Sequence, residues 1–239
     1  MIRADVEVLT LLVPVSGEPG ALLPFLAQVE RDVPQPFVVY AVLDGKGDAD
    51  AATLEMLAPG RPWLRLLHND DLPGTAGAVR AGFRQIPSGP VVVTLADAGD
   101  DLSIVPRMLA LYRQGYRIVC PSRFASGGRQ IGGSLLKRLL LGATGVSLRL
   151  LVGFPTLDLN NNYRLYDAAL VRDLGIESSD GFELALELTA KAFRRGALIA
   201  EVPTTWCDRR GAGSPGGTRR WLASYLRWYA YALRSGRRR

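Results

Sequence analysis

"VVVTLADAGDD" runs from Val91 to Asp101 and decides how the chain folds. Three consecutive valines are material for a strand buried on both faces of a sheet. The run then opens into three carboxylates, Asp97, Asp100 and Asp101. Charges gathered at the end of a buried strand repel one another and resist desolvation, so something must offset them.

The segments on either side repeat the pattern. Strand-like runs at 6–15, 36–44, 63–69, 90–97 and 116–122 alternate with helix-like runs at 20–32, 48–57, 74–86 and 104–114. Continuous apolar strands separated by helices predict an α/β fold, a Rossmann-like, mostly parallel mixed sheet with helices on both faces. In such sheets ligands gather at the carboxyl ends of the strands. Those ends carry Glu18, Asp44, the three aspartates and Arg123. Beyond Arg123 the rhythm breaks. A glycine-rich loop at 125–133 leads into an apolar segment, 134–154, interrupted by Lys137, Arg138 and Arg149. It reads either as a core helix with snorkelling cations or as a surface that meets lipid. A polar loop follows at 158–167, then a helix at 181–195, a strand at 198–206 and a tail helix at 218–234. We divide the chain into a domain over 1–206 and a basic closing loop with an amphipathic helix over 207–239.

The chain has 239 residues, 22% charged and 48% apolar, an ordinary globular balance. His68 is the only histidine, which excludes His-rich metal sites and His-dependent nucleophilic systems. Cys120 and Cys207 lack C-x-x-C spacing and read as thiols of a reducing compartment. No signal peptide or spanning segment is visible, so a cytoplasmic protein is expected. From Cys207 onward nine arginines face one acid, Asp208, a net +8 that leaves −2 for the preceding 206 residues. The basic tail points at an anionic surface or ligand.

Three uses of the acids compete. An acid ahead of "LSIVPRML" can cap a helix, which accounts for Asp100 or Asp101 but not for Asp97. A calcium loop fails, because "DAGDD" lacks the twelve-residue ligand pattern and its terminal glutamate. A hard-oxygen site holding Mg²⁺ or Mn²⁺ against a diphosphate cancels the charges directly. The first and third stay open. "GAGSPG" at 211–216 imitates a dinucleotide loop but has no later acid, and "DGKGD" at 44–48 is not a Walker loop.

Taken in order, "LLVPVSGE", "LDGKGD", "GTAGAVRAGF", "LADAGDD", "PSRFASGGRQ", "DLNNNYRLYD", "GFELALELTAKA" and "EVPTTWCDRRGAGS" resemble family 2 glycosyltransferases of GT-A fold. The resemblance is to the branch of polyprenyl-phosphate (dolichol-phosphate) mannosyl- and glucosyltransferases, and it spans about 8–233. It implies that Glu18 and Asp44 line the nucleoside pocket, with the helix opening at Gly74 below. It implies Asp97 as the metal and diphosphate ligand, assisted by Asp100 or Asp101, and Arg123 and Arg209 as diphosphate contacts. Ser214 would belong to the closing loop, Lys137 and Arg138 to the acceptor phosphate, and Asp158, Asn161 and Glu187 to the sugar side.

The chemistry agrees with that list. Displacing a nucleoside diphosphate from an anomeric carbon needs cations where charge develops. A phosphate acceptor is largely dianionic at neutral pH and attacks without a base. A hydroxyl acceptor needs one, for which Glu183, Glu187 and Asp158 are candidates.

Four departures stand out: Ser16-Gly17-Glu18 for Y-N-E, Leu43 for the first acid of V-D-D-G-S, Leu95 for the first aspartate of D-x-D, and Ser214-Pro215 for the S-K pair. They make a weak or dispensable metal one expectation. The expected activity is inverting transfer of a hexose from a GDP- or UDP-linked sugar to a polyprenyl phosphate at the cytoplasmic membrane face. The alternatives are transfer to a sugar or glycolipid hydroxyl, and a non-catalytic binding module on the membrane. Expected partners are a nucleotide sugar, the lipid acceptor, an anionic membrane surface and a membrane protein, with no nucleic acid.

Overall fold

The computed structural model describes residues 8–15, 22–44, 51–96, 99–179, 181–207 and 218–235, the side chains at 137, 218–221 and 235 excepted. Five parallel-sheet strands come from the expected segments: β1 (Leu9–Val15), β2 (Phe37–Leu43), β3 (Leu64–His68), β4 (Pro90–Val93) and β5 (Ile118–Ser122). Between them lie α1 (Leu22–Asp32), α2 (Ala51–Leu57), α3 (Thr75–Gln85) and α4 (Val105–Arg113). The second half adds β6 (Arg129–Ile131), α5 (Leu135–Val152), β7 (Arg164–Asp167), α6 (Ala168–Leu174), α7 (Leu184–Arg194), β8 (Ile199–Pro203), β9 (Thr205–Cys207) and α8 (Thr218–Ser235).

The main sheet runs β3-β2-β1-β4-β7-β5-β8, and β6 pairs with β9 in a separate parallel ribbon. Only β7 runs antiparallel, between β4 and β5. The order reverses beside β1, and such a switch point opens a crevice at the carboxyl ends of the strands. Helix α1 buries Leu22, Phe25, Leu26 and Val29, an i, i+3, i+4, i+7 stripe, and with α2 and α4 covers one face. Helices α3, α6 and α7 cover the other. A third cluster joins α5, α7 and α8 through Leu148, Leu186, Tyr225 and Trp228.

Two expectations need correction. The polar loop 158–167 ends in a buried strand, β7, whose Arg164 is hidden because its guanidinium donates to the carbonyls of Asp158, Asn161 and Ala185 and to Thr189 Oγ1. The strand at 198–206 is two strands: Thr204 N donates to Ser122 O (3.1 Å) while its carbonyl accepts from Arg129 N (2.9 Å), turning the chain from one sheet to the other. On α8, Tyr225 and Trp228 face protein, 4% and 2% exposed.

Candidate active site

Asp44 closes β2 and fastens three elements. Its Oδ2 accepts from Gly74 N (2.7 Å) and its Oδ1 from Asn69 Nδ2 (2.8 Å). Gly74 precedes α3 with φ 95°, a left-handed conformation that a side chain would strain. Asp44 and the helix opening at Gly74 are thus joined by a direct bond. Glu18, Asp97, Arg209 and Ser214 lie outside the described residues, as does the side chain of Lys137.

Beyond β4, Asp100 is buried and its Oδ2 accepts from Thr94 Oγ1 (2.8 Å). Asp101 caps the 3₁₀ turn Leu102–Ile104: its Oδ1 accepts from Ser103 N (3.1 Å) and Ser103 Oγ (2.5 Å). The capping use of an acid in this loop is thus present. Tyr163 donates to Asp101 O (3.0 Å). Burial, then the charges of Asp100 and Asp101, push its phenol well above the ordinary range.

Arg123 follows β5. Its Nε and Nη2 donate to the two oxygens of Asp158 (both 2.8 Å), and its backbone N adds a third bond (3.0 Å). Phe124 and Trp206 each place a ring centroid 5.5 Å from its guanidinium carbon. Burial works to lower the Arg123 pKa, but the Asp158 hydrogen bonds and charge, helped by Asp100, raise it on balance. The cation is permanent and its direction is set. Arg123 then shares a groove of about 420 Å³ with Phe124, Gly128, Arg129, Gln130, Ile131 and Arg138. Three arginines, two apolar side chains and no acid line it. Arg129 escaped sequence reasoning, although "GGRQ" holds it; an arginine after two glycines reads as a solvated loop residue until β6 lifts it beside β9. From this groove α5 carries a row of exposed leucines: 135, 136, 139 and 140, the second of them 67% exposed.

The other sugar-side candidates divide sharply. Asn161 Nδ2 donates to Pro121 O (3.1 Å) and its Oδ1 accepts from Tyr163 N (3.1 Å). Glu187 is buried and takes Glu177 N, Ser178 N (both 2.7 Å), Ser178 Oγ and Lys191 Nζ (2.6 Å). With Asp158 held by Arg123, all three are committed to internal bonds. Glu183 is also buried, yet neither carboxylate oxygen has a hydrogen-bond partner.

Among the described residues no three His, Cys, Asp or Glu side chains group into a metal site. Of the three expected metal ligands, Asp101 is committed to its cap, Asp100 is bonded to Thr94 and Asp97 lies outside the described residues.

No family model matches the chain. A relative does: the undecaprenyl-phosphate mannosyltransferase of Micrococcus luteus is 30% identical over 207 residues, 83% of this chain and 83% of that protein. The chain belongs to the polyprenyl-phosphate glycosyltransferases. The polyprenol monophosphomannose synthase of Mycolicibacterium smegmatis is 28% identical over 207 residues, 83% of this chain and 77% of that one. Among solved structures, glucosyl-3-phosphoglycerate synthase of Mycobacterium tuberculosis superposes with TM-score 0.66 at 18% identity, covering 94% of this chain and 80% of that one. A mannosyltransferase of Pyrobaculum calidifontis, in complex with GDP-mannose and Mn²⁺, gives TM-score 0.64 at 17% identity, covering 95% of this chain and 64% of that one. This polyprenyl-phosphate glycosyltransferase therefore has the GT-A fold, and the α/β reading holds.

Proposed function

We propose that this glycosyltransferase moves a hexose from a nucleoside diphosphate to a polyprenyl phosphate, with inversion, at a cytoplasmic membrane face. The observation that carries it is the groove of Arg123, Arg129 and Arg138, acid-free and edged by Phe124 and Ile131. A phosphate monoester with an apolar chain matches both halves of that lining. Its dianion attacks the anomeric carbon directly, so the site needs cations to hold it and no base. Arg123, fixed by Asp158, is pre-aimed and loses no freedom on binding, as electrostatic catalysis requires. Asp44 and Gly74 support the nucleoside end, with Glu18 in the same pocket. Arg209 and Ser214 of the basic closing loop contact the diphosphate, and Lys137 joins Arg138 at the acceptor. Asp97 would hold a Mg²⁺ or Mn²⁺ ion, which would supply positive charge for the leaving diphosphate.

No helix of the described residues is long and apolar enough to cross a membrane. Leu135, Leu136, Leu139 and Leu140 support peripheral docking instead, since leucine side chains immersed in lipid gain about 1.5–3 kcal/mol each when fully buried. The basic tail supports the same surface through anionic lipid. The test is kinetic. Arg129→Gln and Arg138→Gln are expected to raise the KM for polyprenyl phosphate about tenfold or more and leave the KM for the nucleotide sugar in place. Equal loss toward both substrates, or toward neither, contradicts the assignment of the groove.

A further inference from the structure

The motif "DLNNN" and the start of α7 contain polar atoms that the fold itself does not use. Asn160 Nδ2, Asn162 Oδ1 and both carboxylate oxygens of Glu183 are buried and make no hydrogen bond. Glu183 occupies the N-cap position of α7, but its side chain does not cap the helix. The helix dipole offsets only part of the cost of burying an unpaired carboxylate. Asp158, Asn161 and Glu187, the acids and amide that the motif resemblance assigns to the sugar, are saturated by internal partners.

We propose that Asn160, Asn162 and Glu183 bind the hydroxyl groups of the donor sugar and select which hexose is accepted. The proposal rests on the transferase reading above. Contacts place the group between the nucleotide end of the site and α8. Asn162 Nδ2 donates to Gly181 O (2.9 Å), which joins the two loops. Gly181 backs onto the first turn of α3, so closely that a Cβ there would lie 2.9 Å from Thr75 Cβ. Gly74, whose N–H binds Asp44, is the residue before Thr75. On the far side, Tyr225 OH lies 3.5 Å from Asn160 Oδ1, and its ring centroid 6.0 Å from that of Phe182.

The chemistry names the ligand class. Three unpaired acceptors, two of them on a carboxylate, repel a phosphate. No group of three His, Cys, Asp or Glu among the described residues includes Glu183, so the site does not suit a metal ion. A neutral polyol supplies hydroxyl donors to the three acceptors and an oxygen to the one donor. Unmet polar groups of this kind are also what lets a site reject an analogue with a hydroxyl moved or missing.

The experiment is titration calorimetry on the full chain and on Glu183→Gln, Asn160→Ala and Asn162→Ala, with GDP, UDP, GDP-mannose and UDP-glucose. The variants are expected to keep the wild-type affinity for the plain diphosphate and to lose about tenfold or more toward the nucleotide sugar. Unliganded Glu183→Gln is expected to melt no lower than wild type, because an amide costs less to bury than a carboxylate. Three results overturn the proposal alone: unchanged nucleotide-sugar affinity in all variants; unchanged affinity with turnover abolished in Glu183→Gln, which makes Glu183 a base; or a melting point several degrees lower, which makes it structural. Wild-type protein that binds no nucleotide sugar overturns the transferase reading, and this proposal with it.

Discussion

Arg123 and Asp158 stand 35 positions apart, and their pairing explains more of the site than any other contact. The pair is buried and bidentate, so removing one partner strands the other charge. Asp158→Ala is expected to cost about 3–5 kcal/mol in urea unfolding, and Arg123→Lys less, since lysine keeps the charge but not the two-pronged geometry. An unchanged midpoint for Asp158→Ala would mean the pair contributes nothing to the fold. Sequence reading found both residues but gave them separate ligands, because spacing along a chain carries no information about a bond between loops. Asp101 shows the opposite case. Its cap depends on residues two positions away and was readable as one of two open uses. Asp100, one residue earlier, is bonded to Thr94 from β4's own end, a tertiary relation that pattern alone does not reveal.

Helices α5 and α8 were both legible as segments, and 134–154 was open between a core helix and a surface that meets lipid. An apolar stripe states that a face is covered and not what covers it. In α8 the stripe meets α7: Trp228 lies over Lys191 Nζ (4.9 Å) and beside Tyr231. Trp228→Ala is expected to destabilise the protein by about 3–5 kcal/mol. In α5 the leucines face outward, and Leu136→Glu with Leu140→Glu is expected to weaken binding to anionic vesicles at least tenfold in a sedimentation assay, with folding intact. Undiminished vesicle binding would contradict lipid docking through α5. Glu177 ties α8 to α7, bonding Arg227 and Lys191 Nζ (2.9 Å). The Lys191 hydrogen bond, against partial burial and with help from Arg227, holds its pKa below the ordinary carboxylate range. A depressed acid stabilises the fold above its unfolded pKa and loses that contribution as pH falls through the folded one. The melting temperature should therefore drop on acidification below about pH 4, the unfolded carboxylate range, and Glu177→Gln should flatten the drop. Strand β7 was misread as loop because its polar residues are satisfied inside the protein and periodicity sees only their polarity.

Across the whole molecule, the sheet order was readable as a class and its details were not. The alternation of apolar strands and helices specifies a mostly parallel sheet, but nothing in it announces the antiparallel β7 between β4 and β5. The charge asymmetry was readable too, with a near-neutral domain and a tail of net +8. The groove shows where positive charge gathers within the domain: on Arg123, Arg129 and Arg138, from β5, β6 and α5. The end of β5, β6 and α5 bring three arginines to one groove next to an apolar helix face. That convergence is the basis for assigning a phosphate on a lipid chain, and for expecting transfer without a general base. The most direct measurement offers the purified protein a radiolabelled nucleotide sugar with either polyprenyl phosphate or the matching polyprenol. The account predicts lipid-linked sugar with the phosphate and none with the alcohol; product from the alcohol, or none from the phosphate with any GDP- or UDP-linked hexose, would contradict it.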